Sequence, residues 1–194
     1  MTAPSLVLGS TSRYRAELLH RLCADFIQAP PGIDEIHLPG EAPGDRARRL
    51  AIAKADAVGA RHPRAWVIGS DQVAELDGRP LDKPGTIELA CDQLRRSSGR
   101  TVRFHTALCL LDAREGTRRL HVDVTRAVFR PLADDEIARY VAREQPLDCA
   151  GSFKCEGLGI SLFERIETED PTALVGLPLI ALARLLREAG WSIP

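Results

Sequence analysis

Ala65-Trp66-Val67-Ile68-Gly69, followed at once by Ser70-Asp71-Gln72, is the stretch from which the rest of this chain can be read. An unbroken small and apolar run containing Trp, Val and Ile is the pattern of a strand buried on both faces, the kind found in sheets covered by helices. The change to Ser-Asp-Gln reads as the strand's end. In open α/β sheets the strand exit is where ligand groups sit. Asp71 at that address is either a loop cap or a functional group, and its position alone leaves both open.

Working upstream, Ser5 to Gly9 is a second short apolar run, and Ser10-Thr11-Ser12 supplies hydroxyls and N-cap candidates. Tyr14, Leu18, Leu19 and Leu22 then mark one face of a helix. Strand, hydroxyl loop, helix is an order that points backbone N–H groups at an anion. Pro30-Pro31-Gly32 interrupts the chain before Asp34-Glu35, and a helix is expected from about Arg46 to Gly59.

Downstream, Asp77-Gly78 is a hairpin turn signal, and Lys83-Pro84 follows it. A helix is expected from about Thr86 to Arg96, ending at Ser97-Ser98-Gly99. The runs Thr101 to Leu111 and Leu120 to Arg130 flank a turn and form an antiparallel hairpin. Asp134 to Arg143 reads as an amphipathic helix, Cys149 to Gly159 as a glycine-rich loop and Ile160 to Ile166 as a strand. Pro178 to Ala189 is the closing helix, capped by Gly190. Helices interleave with strands that include a hairpin, so the fold class is α/β with a mixed sheet, and 194 residues make one large domain or two small lobes.

Composition excludes several classes. Twenty-six basic and 27 acidic residues give a net charge of -1. They are dispersed, which speaks against nucleic acid as a partner and favours a small ligand. Met1 to Ser10 lacks the basic flank and apolar core of a secretory leader, so a cytoplasmic protein is expected. Leu174 to Leu186 is interrupted by Pro178 and Arg184 and is too short to span a bilayer. The five cysteines contain no C-x-x-C pair and the histidines no H-E-x-x-H, so neither a disulfide framework nor a zinc site is encoded. Any metal would be a hard divalent cation held by carboxylates and phosphate oxygens.

Only three of the 26 cationic residues are lysine: Lys54, Lys83 and Lys154. In a chain that otherwise uses arginine, a retained lysine marks a place where a compact point charge serves better than a planar fork. Lys54 lies 17 residues before Asp71 and Lys83 lies 12 after it. Both can reach the carboxylate if the helix packs beside the strand. A carboxylate, two lysines and a hydroxyl loop together are suited to phosphoanhydride cleavage, which needs charge neutralisation, a metal bridge and a positioned water.

The segments Ser10 to Leu19, Ile33-Asp34-Glu35, Gly69 to Val73, Asp82-Lys83-Pro84, Cys149 to Gly157 and Leu174 to Pro178 resemble, in order, the motifs of the Maf family of nucleotide pyrophosphatases. The resemblance covers about residues 5 to 187. It implies a two-lobed α/β fold around a deep cleft, similar to the inosine triphosphatases. It also implies hydrolysis of nucleoside triphosphates to monophosphate and pyrophosphate with Mg²⁺, Mn²⁺ or Co²⁺.

Carried over by position, Asp71 is the proton acceptor, Glu35 a catalytic carboxylate holding metal together with Asp71, Lys54 and Lys83 the cleft lysines, and Ser10 and Arg15 the phosphate-binding pair. Two positions depart from the family pattern: Arg13 stands where proline is usual, and Asp82 where glycine is usual. Asp82 adds a carboxylate beside Lys83 that could neutralise it.

Three positions divide the family by substrate, and here they read Tyr14, Gln72 and Glu156. The branch acting on dTTP and UTP has Arg, Thr and Gln there, whereas an aromatic residue, Gln and Glu resemble the branch that cleaves 7-methyl-GTP. Chemistry favours the same choice. Methylation at N7 makes the purine cationic, which an aromatic face attracts and an arginine repels. A glutamate accepts hydrogen bonds from the N1–H and N2–H of guanine. The alternatives are a pyrimidine or broad-range pyrophosphatase and a non-enzymatic septum regulator binding nucleotide or RNA. A homodimer is compatible with the resemblance.

Overall fold

The computed structural model describes residues 5–194. The reading of Met1 to Ser10 as lacking a leader falls in part on residues 1–4, outside the described residues. The strands are β1 (Leu6–Gly9), β2 (Ile27–Gln28), β3 (Trp66–Leu76), β4 (Arg79–Leu81), β5 (Thr101–Asp112), β6 (Thr117–Phe129) and β7 (Phe163–Glu167). The helices are α1 (Arg13–Leu19), α2 (Pro43–Gly59), α3 (Ile87–Ser97), α4 (Asp134–Glu144) and α5 (Leu179–Glu188).

Among the described residues seven strands form one mixed sheet in the order β2-β1-β3-β5-β6-β7, with β4 paired to β3. β1 pairs in parallel with β2 and β3, and the remaining pairs are antiparallel. The mixed α/β class read from the sequence is therefore the class observed. Among the described residues no helix is long and apolar enough to cross a membrane.

The central strand is longer than its apolar run. β3 continues through Ser70-Asp71-Gln72 to Leu76, so Asp71 lies in the middle of a strand and not at its exit. The polar triplet survives inside the sheet because every member finds partners, as buried polar groups require. Side chains alternate along the strand. Val67 and Val73 pack against Ala47, Ala51 and Ala55 of α2 on one face. Trp66 and Ile68 pack against Leu182 and Leu186 of α5 on the other. Val67 and Ile68 are fully buried and contribute about 1.5–3 kcal/mol each.

Beyond the triplet a third cluster takes over. Ala74 and Leu76 join Phe104, Phe129, Leu94 of α3 and Ile137 of α4. On the face that carries Trp66 and Ile68 the apolar core is thus divided at Ser70–Gln72, whereas on the α2 face one cluster runs past the triplet from Val67 to Val73.

Several local readings match the structure. Asp77 and Gly78 take φ of 51° and 76° in the β3–β4 turn, where Leu76 opposes Arg79; a two-residue turn with both φ positive suits the twist of a hairpin. β5 and β6 form the expected hairpin, with Asp112 opposite Thr117. The Thr86 hydroxyl caps α3 by accepting from Leu89 N at 3.3 Å. The strand expected over Ile160 to Ile166 is corrected: Leu158–Leu162 is a 3-10 helix, and β7 begins only at Phe163. Ile160 is 56% exposed and belongs to no sheet face. β2, two exposed residues, left no apolar signal to read.

Candidate active site

Gly69 brings the first groups together. A Cβ at that position would collide with the Ala51 carbonyl and lie 2.7 Å from the Ala55 nitrogen, so only glycine lets α2 lie so close to β3. Lys54 sits in that stretch of α2, and Asp71 follows Gly69 by two residues on the same strand face. The Lys54 ammonium consequently lies 2.6 Å from Asp71 Oδ1, with both residues 5% exposed. The same Nζ lies 2.6 Å from Glu35 Oε1.

Glu35 arrives on an irregular segment between β2 and α2. Arginines of α2 fasten that segment: Arg49 donates to both oxygens of Glu41 and to the Ile36 carbonyl at 3.0 Å.

The opposite face of β3 holds a loop. Ser70 Oγ donates to the Gly176 carbonyl at 2.9 Å, and Arg15 Nε donates to the same oxygen at 2.9 Å. Gln72 Nε2 has three acceptors for its two N–H donors, Thr106 Oγ1 at 2.9 Å and the Ala173 and Leu174 carbonyls at 3.0 and 3.1 Å. With its NH₂ committed, the Gln72 amide oxygen has no hydrogen-bond partner among the described residues.

This loop is set from behind by Asp170, which is 3% exposed. Its carboxylate accepts from Thr172 N and Oγ1 and, through Oδ2, from Ile180 N at the start of α5. Asp170, Thr172, Ser70 and Thr106 escaped the sequence reading. The Glu-Asp-Pro-Thr run offered only a generic helix-start signal.

The site residues line two adjoining cavities. One, of about 380 Å³, is bordered by Ser10, Glu35, Lys54 and Asp71. The other, of about 430 Å³, is bordered by Tyr14, Glu156 and Phe153. Arg15, Gln72 and Lys83 border both. All nine residues singled out in the sequence therefore reach one continuous cleft, with the acids and cations at one end and Tyr14 and Glu156 at the other. Ser10 Oγ accepts from Ser12 N at 3.1 Å and from Arg15 Nη1 at 3.4 Å, so the hydroxyl loop and Arg15 form a unit.

The two departures from the family pattern have definite partners. Asp82 Oδ1 is 3.1 Å from Arg46 Nη1 and 3.2 Å from His37 Nε2. Its charge is answered there, and among the described residues Lys83 makes no ion pair. Arg13 donates to the Tyr14 hydroxyl at 3.0 Å and holds its guanidinium carbon 4.8 Å from the Tyr14 ring centre. The third lysine is structural: Lys154 Nζ donates to the Glu144 and Gln145 carbonyls and so caps the C-terminus of α4.

Electrostatics separates the two central carboxylates. Burial pushes Asp71 up, against the opposing pull of Lys54 and Arg15. Burial also acts on Glu35, whose side chain is 49% exposed, but the hydrogen bond and charge of Lys54, with the charges of Lys83 and Arg15, hold it below the ordinary glutamate value. Desolvation lowers Arg15. Burial pushes Cys149 and Cys155, on the wall of the larger cavity, up to about 12, so both stay neutral thiols.

Among the described residues no three His, Cys, Asp or Glu side chains cluster as a metal cage. Lys54 takes one oxygen of Glu35 and one of Asp71, and the second oxygen of each, with no hydrogen bond among the described residues, suits a magnesium-like ion when substrate phosphates complete its coordination. The residues fit such a group.

Proteins of known name are similar to this chain over nearly its whole length. A 7-methyl-GTP pyrophosphatase of Xanthomonas campestris pv. campestris (strain 8004) is 60% identical over 191 residues, 98% of this chain and 99% of the relative. A 7-methyl-GTP pyrophosphatase of Aromatoleum aromaticum (strain DSM 19018 / LMG 30748 / EbN1) is 55% identical over 194 residues, the full length of both. Among solved structures, that of the Staphylococcus aureus Ham1 protein aligns with a TM-score of 0.47 and 17% identity over 67% of this chain and 72% of that one. Residues 5–189 match the family described as Maf-like protein, and this chain belongs to that family.

Proposed function

We propose that this protein is a hydrolase that cleaves 7-methyl-GTP to 7-methyl-GMP and pyrophosphate. The observation that carries this reading is the division of the cleft. Carboxylates and cations line one cavity, and Tyr14 and Glu156 line the adjoining one, with Gln72 between them. The relatives aligned over nearly the whole chain bear the name of the same activity.

In this reading the cationic base lies against Tyr14, a contact worth about 0.5–2 kcal/mol. Glu156 accepts from the N1–H and N2–H edge of guanine and answers the ring charge. Gln72 offers its amide oxygen between base and phosphates. At the other end Ser10, Arg15 and Lys83 bind the triphosphate. Asp71, whose raised pKa brings its basicity closer to that of a working general base, takes the proton from water as the water attacks the α-phosphorus. The bond from the α-phosphorus to the bridging oxygen of the β-phosphate breaks, and pyrophosphate leaves with the electron pair.

Lys54 holds Glu35 and Asp71 at a common point and limits their mutual repulsion. Glu35 and Asp71 would hold a divalent cation, which when bound supplies charge neutralisation to the phosphates. The chain acts as one Maf-like domain and works in the cytoplasm on free nucleotides.

The test is pyrophosphate release across 7-methyl-GTP, GTP, dTTP and UTP, each with Mg²⁺, Mn²⁺ and Co²⁺. The reading expects 7-methyl-GTP to have the highest kcat/KM. Equal rates on GTP, or a preference for dTTP and UTP, would overturn it.

A further inference from the structure

The smaller cavity contains a cation that the nine residues above do not include. Arg46, in the first turn of α2, borders it beside Lys83, Lys54 and Arg15. Its side chain is 12% exposed. A guanidinium has five N–H donors, and a buried one normally satisfies most of them. Arg46 does not. Nη1 meets Asp82 Oδ1 at 3.1 Å, Nη2 reaches the Glu35 carbonyl only at 3.5 Å, and Nε is buried without any partner among the described residues.

Its one anionic partner is replaceable. The Asp82 side chain is 57% exposed and has His37 as a second partner at 3.2 Å, so Asp82 is not stranded if Arg46 turns elsewhere. Arg46 therefore combines a fixed position in the wall, an unfilled donor set and a weakly held counter-ion. A phosphate group offers what it lacks, several charged acceptor oxygens spaced to take two parallel N–H donors at once. The neighbouring cations differ from it. Lys54 is committed to two carboxylates, and Arg15 to Gly176 and Ser10.

We propose that Arg46 is a further substrate-binding residue, which takes the terminal phosphates of the triphosphate on its guanidinium and exchanges Asp82 for them. The proposal rests on the reading of this cavity as the triphosphate end of the cleft, but it does not depend on which base is recognised.

Inorganic tripolyphosphate serves as the probe, with binding followed by calorimetry alongside steady-state kinetics on 7-methyl-GTP. Arg46→Met is expected to weaken tripolyphosphate about 10-fold to 100-fold, the loss typical of a charge-assisted pair, and to raise KM more than it lowers kcat. Arg46→Lys, which keeps the charge and fills the same space, is expected to recover part of that loss and keeps the test decisive if the methionine variant does not fold. Asp82→Asn, which releases Arg46 from its counter-ion, is expected to bind tripolyphosphate at least as tightly as the unaltered protein. Unchanged affinity and KM in folded Arg46→Met or Arg46→Lys would overturn the proposal. Tripolyphosphate binding that depends on Arg46, in a protein that does not prefer 7-methyl-GTP, would support it while removing the proposed base specificity.

Discussion

Lys54 and Asp71, 17 residues apart in the chain, meet at 2.6 Å in a site where each is 5% exposed, and the same ammonium meets Glu35 at 2.6 Å. One buried cation thus serves two carboxylates. Those carboxylates differ in their surroundings: Asp71 is enclosed by the sheet and α2, whereas half of Glu35 faces solvent. Burial raises the first, and the surrounding cations lower the second.

From this follows the pH dependence of the reaction. A base must be unprotonated to act, and a raised pKa means that protonation begins at higher pH. With Asp71 as the base, kcat/KM should therefore fall on the acid side in a limb that reports the protonation of Asp71. Asp71→Asn should lower kcat by about 10²-fold to 10⁴-fold with the fold intact, and its residual rate should lose that limb. A pH–rate profile of both proteins checks this, and near-full activity in Asp71→Asn would remove the residue from the role.

Gly69→Ala should damage stability and chemistry together. The added methyl meets the backbone of Ala51 and Ala55, which cannot move aside as a flexible side chain would. A cost of about 1–3 kcal/mol is expected from overpacking. Because the displaced helix carries Lys54, kcat should drop as well. Denaturant unfolding and steady-state kinetics measure the two effects, and a variant of unchanged stability would show that the close approach is not required.

Glu156→Gln should reduce the preference for a methylated base. The amide can accept one hydrogen bond from guanine but loses the charge that answers the cationic ring. The ratio of kcat/KM for 7-methyl-GTP over GTP should fall by about tenfold, as loss of a charge-assisted hydrogen bond predicts. Stability should hardly change, since Glu156 is exposed.

Asp170→Ala should act at a distance. It strips partners from Thr172 and from Ile180 N, and the carbonyls of Ala173, Leu174 and Gly176 that hold Gln72, Ser70 and Arg15 lose their anchor. A loss of about 2–3 kcal/mol is expected from unsatisfied buried groups. KM for the nucleotide should rise. Thermal unfolding and kinetics together test it, and unchanged KM would confine Asp170 to a structural role.

Eight of the nine candidate site residues were legible because each belongs to a motif with a recognisable order along the chain, and Lys54 because lysine is rare in it. The supporting residues were not. Ser70 and Thr106 act through contacts to residues 106 and 67 positions away and Asp170 through a turn that closes on Ile180, and no periodic pattern records such contacts. The continuation of β3 was hidden for a related reason: Ser-Asp-Gln reads as a strand's end unless the partners that satisfy it are known.

By itself the sequence determined the mixed α/β class, the hairpins and the residues of the cleft, because periodicity, turn chemistry and motif order are local properties. Tertiary structure alone decided what each charge does. It placed Lys54 between two acids, gave Asp82 to Arg46 and His37, left Lys83 without an ion pair among the described residues, and assigned Lys154 to a helix end. Charge interactions depend on distance and burial, and both are set only when α2 closes on Gly69.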